Sequence, residues 1–200
     1  MKILIDTGHG QETLGKRSPD GLFREYAWAR EIASRLEAEL HKRGYEAQRI
    51  VPEANDVPLK ERSRRVNEIC GRVGEDNVIF VSVHVNAASD DGSWMNARGW
   101  SAYTSKGETR SDKLATCLYR AAEAALTPAG IKIRKDMSDG DPDWEENFWV
   151  LRKTLCPAVL TENLFMDNRD DLAFLNSERG KQAIVDLHIK GIINFINSGQ

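Results

Sequence analysis

Three apolar runs of this chain each end in polar residues, and these runs constrain its fold more than any other feature. They are ILIDTGHG at 3–10, NVIFVSVHVNA at 77–87 and PAVLTENLF at 157–165. Each is typical of a strand covered on both faces, because its apolar residues continue without the alternation of a half-exposed strand. The carboxyl ends of parallel strands meet at one edge of an open α/β sheet, so the three runs predict one shared crevice.

Helical patterns separate these runs. Apolar residues recur at helical spacing from Phe23 to Arg43, and Gly44 follows where a C-terminal cap belongs. Further segments have weaker patterns. We predict helices from Pro58 onward, over 108–126 and over 177–197, and strands over 45–51, 99–104 and 131–134. This alternation predicts a single-domain α/β fold, with a twisted, mostly parallel or mixed sheet and helices on both faces.

The composition limits the class of protein. With 200 residues, of which 40% are hydrophobic and 30% are charged, the chain has enough apolar material for one core, and we expect a single domain over 1–200. A formal net charge of −3 gives no overall attraction to nucleic acid or to an anionic membrane. Three widely separated cysteines without a C-x-x-C pair indicate neither a cysteine zinc cluster nor a disulfide framework.

The N-terminal strand is the one early apolar segment that needs to be compared with a targeting signal. It is too short and wrongly flanked for a signal peptide, and no later run is long enough for a membrane span. We therefore expect no membrane insertion and synthesis in the cytoplasm. Nothing in the sequence indicates an oligomeric state.

Two of the four histidines are candidate metal ligands. His9 and His84 each follow a buried strand, whereas His41 and His188 lie within predicted helices and are given structural roles. Two histidines and one carboxylate leave a fourth zinc position open, as in catalytic zinc sites. We expect Glu25 to be the third zinc ligand. The alternative is that Glu25 only stabilises the N-terminus of its helix.

Glu162 follows the last strand and is the candidate general base. An unligated carboxylate beside a metal can take a proton from water and later deliver it to a leaving amine. The alternative is that Glu162 forms a buried ion pair.

Five motifs carry a family resemblance, and they span nearly the whole chain. They are IDTGHG, DGLFREY, SVHVNA, VLRKTLCPAVLTEN and FMDNRDD. In this combination the chain resembles the zinc-dependent N-acetylmuramoyl-L-alanine amidases of the Amidase_3 type, especially the compact forms that phages and prophages use as endolysins.

The resemblance implies a site and a substrate. It implies that His9, Glu25 and His84 bind Zn²⁺ and that Glu162 is catalytic. It also implies that the substrate is peptidoglycan, cut between the lactyl group of N-acetylmuramic acid and the L-alanine of the stem peptide, and that the enzyme acts on the cell wall after release or export. The sequence departs from the family pattern at Thr7, Gln11, Val85 and Asn163. These departures remove no proposed ligand, but they leave the shape of the substrate groove open.

Several neighbouring residues have predicted roles. We expect Asn86 to support the His84 loop, with orientation of the substrate as the alternative, and we expect an arginine-rich face of the second helix to be solvated surface. Trp94, Trp100 and Trp144 are candidates for stacking on sugars, with core burial as the alternative for Trp100. The arginine-rich face of the second predicted helix comprises Arg62, Arg64 and Arg65.

The acidic segment 136–146 is predicted to be a solvated, substrate-facing loop. It holds six acidic residues together with Gly140 and Pro142. It resembles a calcium-binding loop only loosely, since it lacks both the ordered Asp spacing and the closing Glu, so the sequence alone does not predict calcium binding there.

Two other functions are weighed. The stretch around Gly8 and His9 faintly resembles the start of histidine phosphatases, but these need an arginine where this chain has Gly8. The second alternative is a wall-binding module that keeps the fold without activity. Against it, all proposed ligands and the base are present.

Overall fold

Six strands form one mixed sheet in the computed structural model, which describes residues 1–199. The strands are β1 (Lys2–Thr7), β2 (Glu46–Arg49), β3 (Val78–Asn86), β4 (Ser101–Thr104), β5 (Trp144–Glu145) and β6 (Ala158–Phe165). Their order is β2-β1-β3-β6-β4-β5, and the one antiparallel pair among the described strands joins β4 to β6. The strands β1, β3 and β6 are thus parallel neighbours at the centre of the sheet.

Six α-helices cover this sheet in the described part of the chain. They are α1 (Glu25–Lys42), α2 (Leu59–Val73), α3 (Arg110–Leu126), α4 (Trp149–Arg152), α5 (Arg169–Asn176) and α6 (Glu178–Asn197). One core lies between the sheet and helices α1, α3, α5 and α6, and a second lies between the sheet and helices α2 and α4. Within residues 1–199, no helix combines the length and the apolar character needed to cross a bilayer.

The central strands supply both cores from alternate residues. In β1, Ile3 and Ile5 pack in the first core and Leu4 in the second, and all three are fully buried. Successive side chains of a strand point to opposite faces, so burial of both faces removes the apolar and polar alternation from the sequence. The predicted single-domain α/β fold with a mixed sheet and helices on both faces is confirmed.

Local differences from the predicted elements have simple causes. Strands β3 and β6 continue through His84 and Glu162, which were expected just after the strands. Residues 131–134 contribute a single bridge, between Ile133 and Trp100. Helices α4 and α5 and strand β5 were not predicted as such, because segments of two to eight residues are too short to show a clear period.

The predicted solvent exposure of Arg62 is wrong. Arg62 is 2% exposed, and its Nη1 lies 2.8 Å from Oδ1 of the fully buried Asp6. It also donates hydrogen bonds to the backbone oxygens of Thr7 and Val57 and pairs with Asp56 at 2.9 Å. The guanidinium therefore joins the end of β1 to the loop that precedes α2.

The physical reason lies in Asp6. A carboxylate buried inside a sheet needs a compensating charge, and a forked guanidinium supplies both charge and hydrogen bonds. Arg62 precedes the buried Val66 by one helical turn, so it belongs to the buried stripe of α2. Arg64, in contrast, is exposed and pairs with Glu61 and Glu68 on its own helix.

We predict that Arg62→Ala lowers the free energy of unfolding by about 3–5 kcal/mol, because it leaves the Asp6 carboxylate buried without its partner. Urea denaturation at neutral pH measures this change. Arg64→Ala is the matched control on the same helix and is expected to change stability by no more than about 0.5 kcal/mol. Equal effects of the two substitutions would contradict the assignment.

Candidate metal centre

The candidate site lies where β1, β3 and β6 end side by side. Thr7 pairs with Val83 and His84 pairs with Glu162 in the parallel ladder, which brings the carboxyl ends of the three strands to one edge. His9 follows β1 by two residues. The shared crevice expected from the three apolar runs is therefore present, with both histidines and Glu162 at its edge.

Gly8 allows the close approach that the site requires. A Cβ atom placed there would lie 2.4 Å from the His84 ring and 3.1 Å from Glu25 Oε1. Carbon atoms in contact normally stay about 3.5–4.0 Å apart, so a side chain at this position would displace the imidazole. The missing side chain at Gly8 is thus a condition for the present position of His84.

His9 adopts the left-handed backbone conformation, with φ of 57°, which is uncommon for a residue other than glycine. Arg30 fixes this turn, since its Nη2 donates to the His9 carbonyl at 2.9 Å and its Nη1 donates to the Gly8 carbonyl at 3.4 Å. The strained turn aims the imidazole at Glu25 and is held from α1. Sequence analysis missed this role of Arg30, because its partners are backbone carbonyls that leave no residue pattern.

His9, Glu25 and His84 come together in a compact group. One ligand atom from each lies within 4.8 Å of the other two. Glu25 Oε1 is 3.1 Å from His84 Nδ1 and accepts a hydrogen bond from Val85 N at 3.0 Å, while Oε2 is 3.5 Å from His9 Nε2. The two imidazole rings stand nearly perpendicular, at 88°.

The environment of Glu25 fits a bound cation. Its side chain is 1% exposed, and Oε2 has no hydrogen-bond partner among the described residues. An unsatisfied buried carboxylate oxygen is costly, and a metal ion bound with the two imidazoles would satisfy it. Glu25 is the first residue of α1, but its carboxylate turns into the sheet edge, so stabilising the helix N-terminus does not account for its burial.

Burial and charge set the protonation states of the two histidines differently. Burial lowers the pKa of His9 to about 4, which keeps its imidazole neutral and able to ligate. Burial also acts to lower the pKa of His84, but the hydrogen bond and the charge of Glu25 outweigh it, so this pKa is raised. A cation at the site would compete with the proton on His84.

Glu162 lies beside the three candidate ligands without belonging to the group. Its Oε2 is buried and has no hydrogen-bond partner in the described chain. Burial, followed by the nearby charge of Glu25, raises its pKa above the usual range of a glutamate, although His84 acts in the opposite direction. A carboxyl group with a raised pKa and a free oxygen is suited to exchanging protons near neutral pH.

A bulge in β6 follows Glu162 and involves one of the departures from the family pattern. The register with β3 shifts between His84 and Asn86, and Leu164 has a φ of 66°. Asn163 is fully buried within the bulge, where its Nδ2 donates to the His84 carbonyl and its Oδ1 accepts from Trp100 Nε1, both at 2.9 Å. The amide at this position therefore supports the strand segment that carries His84.

A cavity of about 700 Å³ opens in front of the group and is lined by His9, His84 and Glu162. Apolar residues form much of the remaining wall. They are Val57, Pro58, Leu59, Phe148, Trp149, Val150 and Leu160. This volume is within the usual range for ligand pockets.

The tryptophans predicted to stack on sugars do not line this cavity in the described structure. Trp100 is fully buried, Trp94 packs beneath the Arg169 guanidinium at 4.1 Å, and Trp144 contacts the Tyr103 ring. Trp149, which is 37% exposed, does line it. Sequence analysis missed Trp149, because its helix α4 is only four residues long.

Asn86 and the remaining two histidines make local contacts. Asn86 Oδ1 accepts a hydrogen bond at 2.8 Å from the backbone N of the next residue, Ala87, so its support of the His84 loop stays a prediction. His188 is fully buried between Ile184 O and Thr161 Oγ1, and His41 contacts Ala47 O at 2.8 Å. Neither of these two histidines belongs to the candidate metal group.

An α/β sheet that gathers two imidazoles and a carboxylate at its strand ends, with a further carboxyl alongside, offers the donor set and the neighbouring base that single-metal hydrolases use. The chain matches the family model Amidase_3, described as N-acetylmuramoyl-L-alanine amidase, over residues 3–194. The chain therefore belongs to this family, and the resemblance seen in the sequence motifs is confirmed.

Individual relatives agree with this assignment. The endolysin of Bacillus phage SPP1 is 28% identical, over 98% of this chain and 66% of the phage protein. The N-acetylmuramoyl-L-alanine amidase CwlM of Bacillus licheniformis is 29% identical, over 98% of this chain and 69% of that protein. The chain thus spans about two thirds of the length of these two relatives.

The fold also matches solved structures. The structure of the N-acetylmuramoyl-L-alanine amidase AmiC2 of Nostoc punctiforme has a TM-score of 0.79 and 26% identity to this chain. The match covers 98% of this chain and 97% of that one. Nearly all of the present chain therefore shares the architecture of that amidase structure.

We predict that Gly8→Ala displaces the His84 ring through its added methyl group, and that zinc affinity at this group would fall by about 10–100-fold, as it commonly does for substitutions beside metal ligands. Competition with a chromogenic chelator measures the affinity. Gly71→Ala is the matched control, since a Cβ there meets nothing within 4 Å and alanine favours the helix by about 1 kcal/mol. Unchanged affinity in Gly8→Ala would show that the close approach at Gly8 does not matter for the metal.

Proposed function

We propose that residues 1–200 form a single catalytic domain, a zinc-dependent amidase that hydrolyses the bond between N-acetylmuramic acid and the L-alanine of the peptidoglycan stem peptide. One observation carries the proposal. In a chain of this family, His9, Glu25 and His84 converge around an unsatisfied carboxylate oxygen, and Glu162 lies alongside with a free oxygen of its own. The enzyme would act on the cell wall after release or export.

The donor set favours zinc over other cations. Two imidazoles and one carboxylate are ligands that zinc accepts in catalytic sites, whereas magnesium and calcium select oxygen donors. His9, Glu25 and His84 would hold the ion and leave a position open toward the cavity. When bound there, zinc lowers the pKa of water and polarises the scissile carbonyl.

Glu162 would carry out both proton transfers of the reaction. Its raised pKa makes it a competent base for water, and the resulting carboxylic acid is a competent donor for the leaving amine. An amide nitrogen leaves readily only once it is protonated, so the second transfer is as necessary as the first. The register pairing with His84 keeps the Glu162 carboxyl next to the ligands during both steps.

Trp149 and Phe148 give the cavity an apolar surface for the substrate. Both are partly exposed, at 37% and 36%, and both line the same cavity as Glu162. Flat aromatic rings at this position are suited to stacking on the apolar face of a sugar or to covering the stem peptide. We propose that this wall orients the muramyl group, with the amide directed toward Glu162.

We predict that Glu162→Gln reduces the hydrolysis of purified sacculi by about 10²–10⁴-fold, because the amide side chain cannot take up the proton of water. New alanine N-termini measure the reaction, and metal analysis is expected to find one zinc per chain in both proteins. Glu146→Gln, which changes an exposed acid outside the cavity, is the matched control. Binding to sacculi without cleavage, and unaffected by Glu162→Gln, would instead support a wall-binding module.

The ligand assignment has a separate test. His9→Ala and His84→Ala are each expected to lose stoichiometric zinc together with activity, because two remaining ligands hold the ion weakly. His41→Ala is the control histidine, since its imidazole contacts only a backbone carbonyl in the described structure. Unchanged zinc content in both site variants would remove the assignment.

We predict that Trp149→Ala raises KM for soluble muropeptides about 2–13-fold with little change in kcat, since a stacking contact is worth about 0.5–1.5 kcal/mol. Steady-state kinetics separate the two constants. Trp149→Phe keeps an aromatic surface and is expected to restore most of the affinity. A fall in kcat with KM unchanged would assign Trp149 to the chemical step instead.

A further inference from the structure

A second group of carboxylates lies outside the candidate zinc site. It joins Asp112, in the first turn of α3, to Asp141 and Asp143, in the loop before β5. One carboxylate oxygen from each lies within 4.8 Å of the other two. Three negative groups at this separation repel one another unless a cation or a proton lies between them.

Asp143 is the informative member of the group, because its side chain is buried and one of its two carboxylate oxygens has no hydrogen-bond partner among the described residues. It is 2% exposed, and its Oδ2 accepts a hydrogen bond from Thr104 Oγ1 at 2.6 Å. Its Oδ1 is buried and has no hydrogen-bond partner in residues 1–199. A charged acceptor left in this way costs more than a neutral one.

The neighbours of Asp143 add to this cost. Burial, together with the carboxyl group of Asp141 and the charge of Asp112, raises the pKa of Asp143 to about 8. The pKa of Asp112 is also raised, by burial and by the charge of Asp141. The group therefore favours the uptake of positive charge.

There is space beside the group for an ion and its waters. A cavity of about 260 Å³ is lined by Asp112 and Asp141 together with Asp139 and Glu145. Every ionisable side chain that lines it is acidic, and Gly107 and Glu108 complete the lining. Asp143 itself does not line this cavity, but one of its carboxylate oxygens lies within 4.8 Å of carboxylate oxygens of Asp112 and Asp141, which do. A small cavity walled by carboxylates beside such a buried acid is the environment of a hard cation.

We propose that Asp112, Asp141 and Asp143 bind a calcium ion, with Asp139 and Glu145 at its solvent side. The donors are all oxygens, which excludes a preference for zinc. Calcium accepts six to eight oxygens in irregular geometry, waters included, and so suits a site with three close carboxylates, two from a loop and one from the first turn of α3. Magnesium requires a nearly ideal octahedron and is expected to bind more weakly.

The site crosses sequence-distant elements, and sequence analysis therefore could not find it. The acidic run in the sequence comprises residues 136–146 only, whereas Asp112 comes from α3 and Thr104 from β4. The ion would tie the loop to both elements. The same loop leads through β5 into residues 148–150, which line the cavity of the candidate active site, so calcium would also stabilise that wall.

The experiment uses the full chain loaded with one equivalent of zinc and freed of other divalent ions. Calcium chloride is titrated while the thermal midpoint is followed, and terbium luminescence excited through tryptophan reports direct binding, since Trp144 adjoins Asp143. We expect a Kd on the order of 10⁻⁴ to 10⁻³ M. At tenfold excess over Kd the midpoint should rise by about 3–6 °C, and magnesium chloride should have a smaller effect.

Asp143→Asn tests the assignment, because it should abolish the calcium response without lowering the stability of the calcium-free protein. The amide is neutral, as is the protonated carboxyl group that the raised pKa of Asp143 favours without calcium, so the variant should be about as stable as the parent without calcium, yet calcium should no longer raise its midpoint. Glu146→Gln, which removes a charge from an exposed residue just beyond the loop's acidic group, should keep the full calcium response. Asp141→Asn gives the same test at a half-buried position if Asp143→Asn does not fold.

Two results would overturn the proposal. One is a parent protein whose midpoint and terbium signal do not respond to calcium, which would mean that the three acids share a proton instead. The other is an equal calcium response in the parent and in both aspartate variants.

Discussion

The buried carboxylate of Glu25 is the constraint on which the candidate site depends. A single charged group lies between His9 and His84 and accepts a hydrogen bond from the backbone of β3, so it links α1 to two strands at once. Such a group is stable in the interior only while its partners are present. The missing side chain at Gly8 and the turn held by Arg30 are the local conditions that keep those partners within reach.

Two glutamates of the site differ in protonation because their surroundings differ. The two imidazoles stabilise the negative charge of Glu25, so its pKa is lowered although the side chain is buried. Glu162 is buried too, but its Oε2 accepts no hydrogen bond from the described residues, and its pKa is raised. Carboxyl groups whose environments separate their pKa values in this way can take different roles in one reaction. The difference supports one glutamate as a ligand and the other as the proton carrier.

Sequence patterns predicted the features that depend on strand ends, and they missed those that depend on contacts between distant elements. His9, His84 and Glu162 stand where uninterrupted apolar runs end, so their meeting at one edge was predictable from the strand ends. Arg62 was misassigned, because a surface helix rich in arginine gives no sign that one guanidinium compensates Asp6. Trp149, in a four-residue helix, has too short a context for any period to appear.

The bulge after Glu162 has a consequence for strand alignment. In a regular strand, slippage by one residue would exchange Glu162, which faces the cavity, for Thr161, which faces His188 in the core. Strand β6 has one extra residue here, and the Asn163 amide bonds to the His84 carbonyl of β3 and to Trp100 Nε1. A slipped alignment would lose these two hydrogen bonds. The bulge thus fixes the register of β6 against β3, and with the register fixed Glu162 faces the cavity.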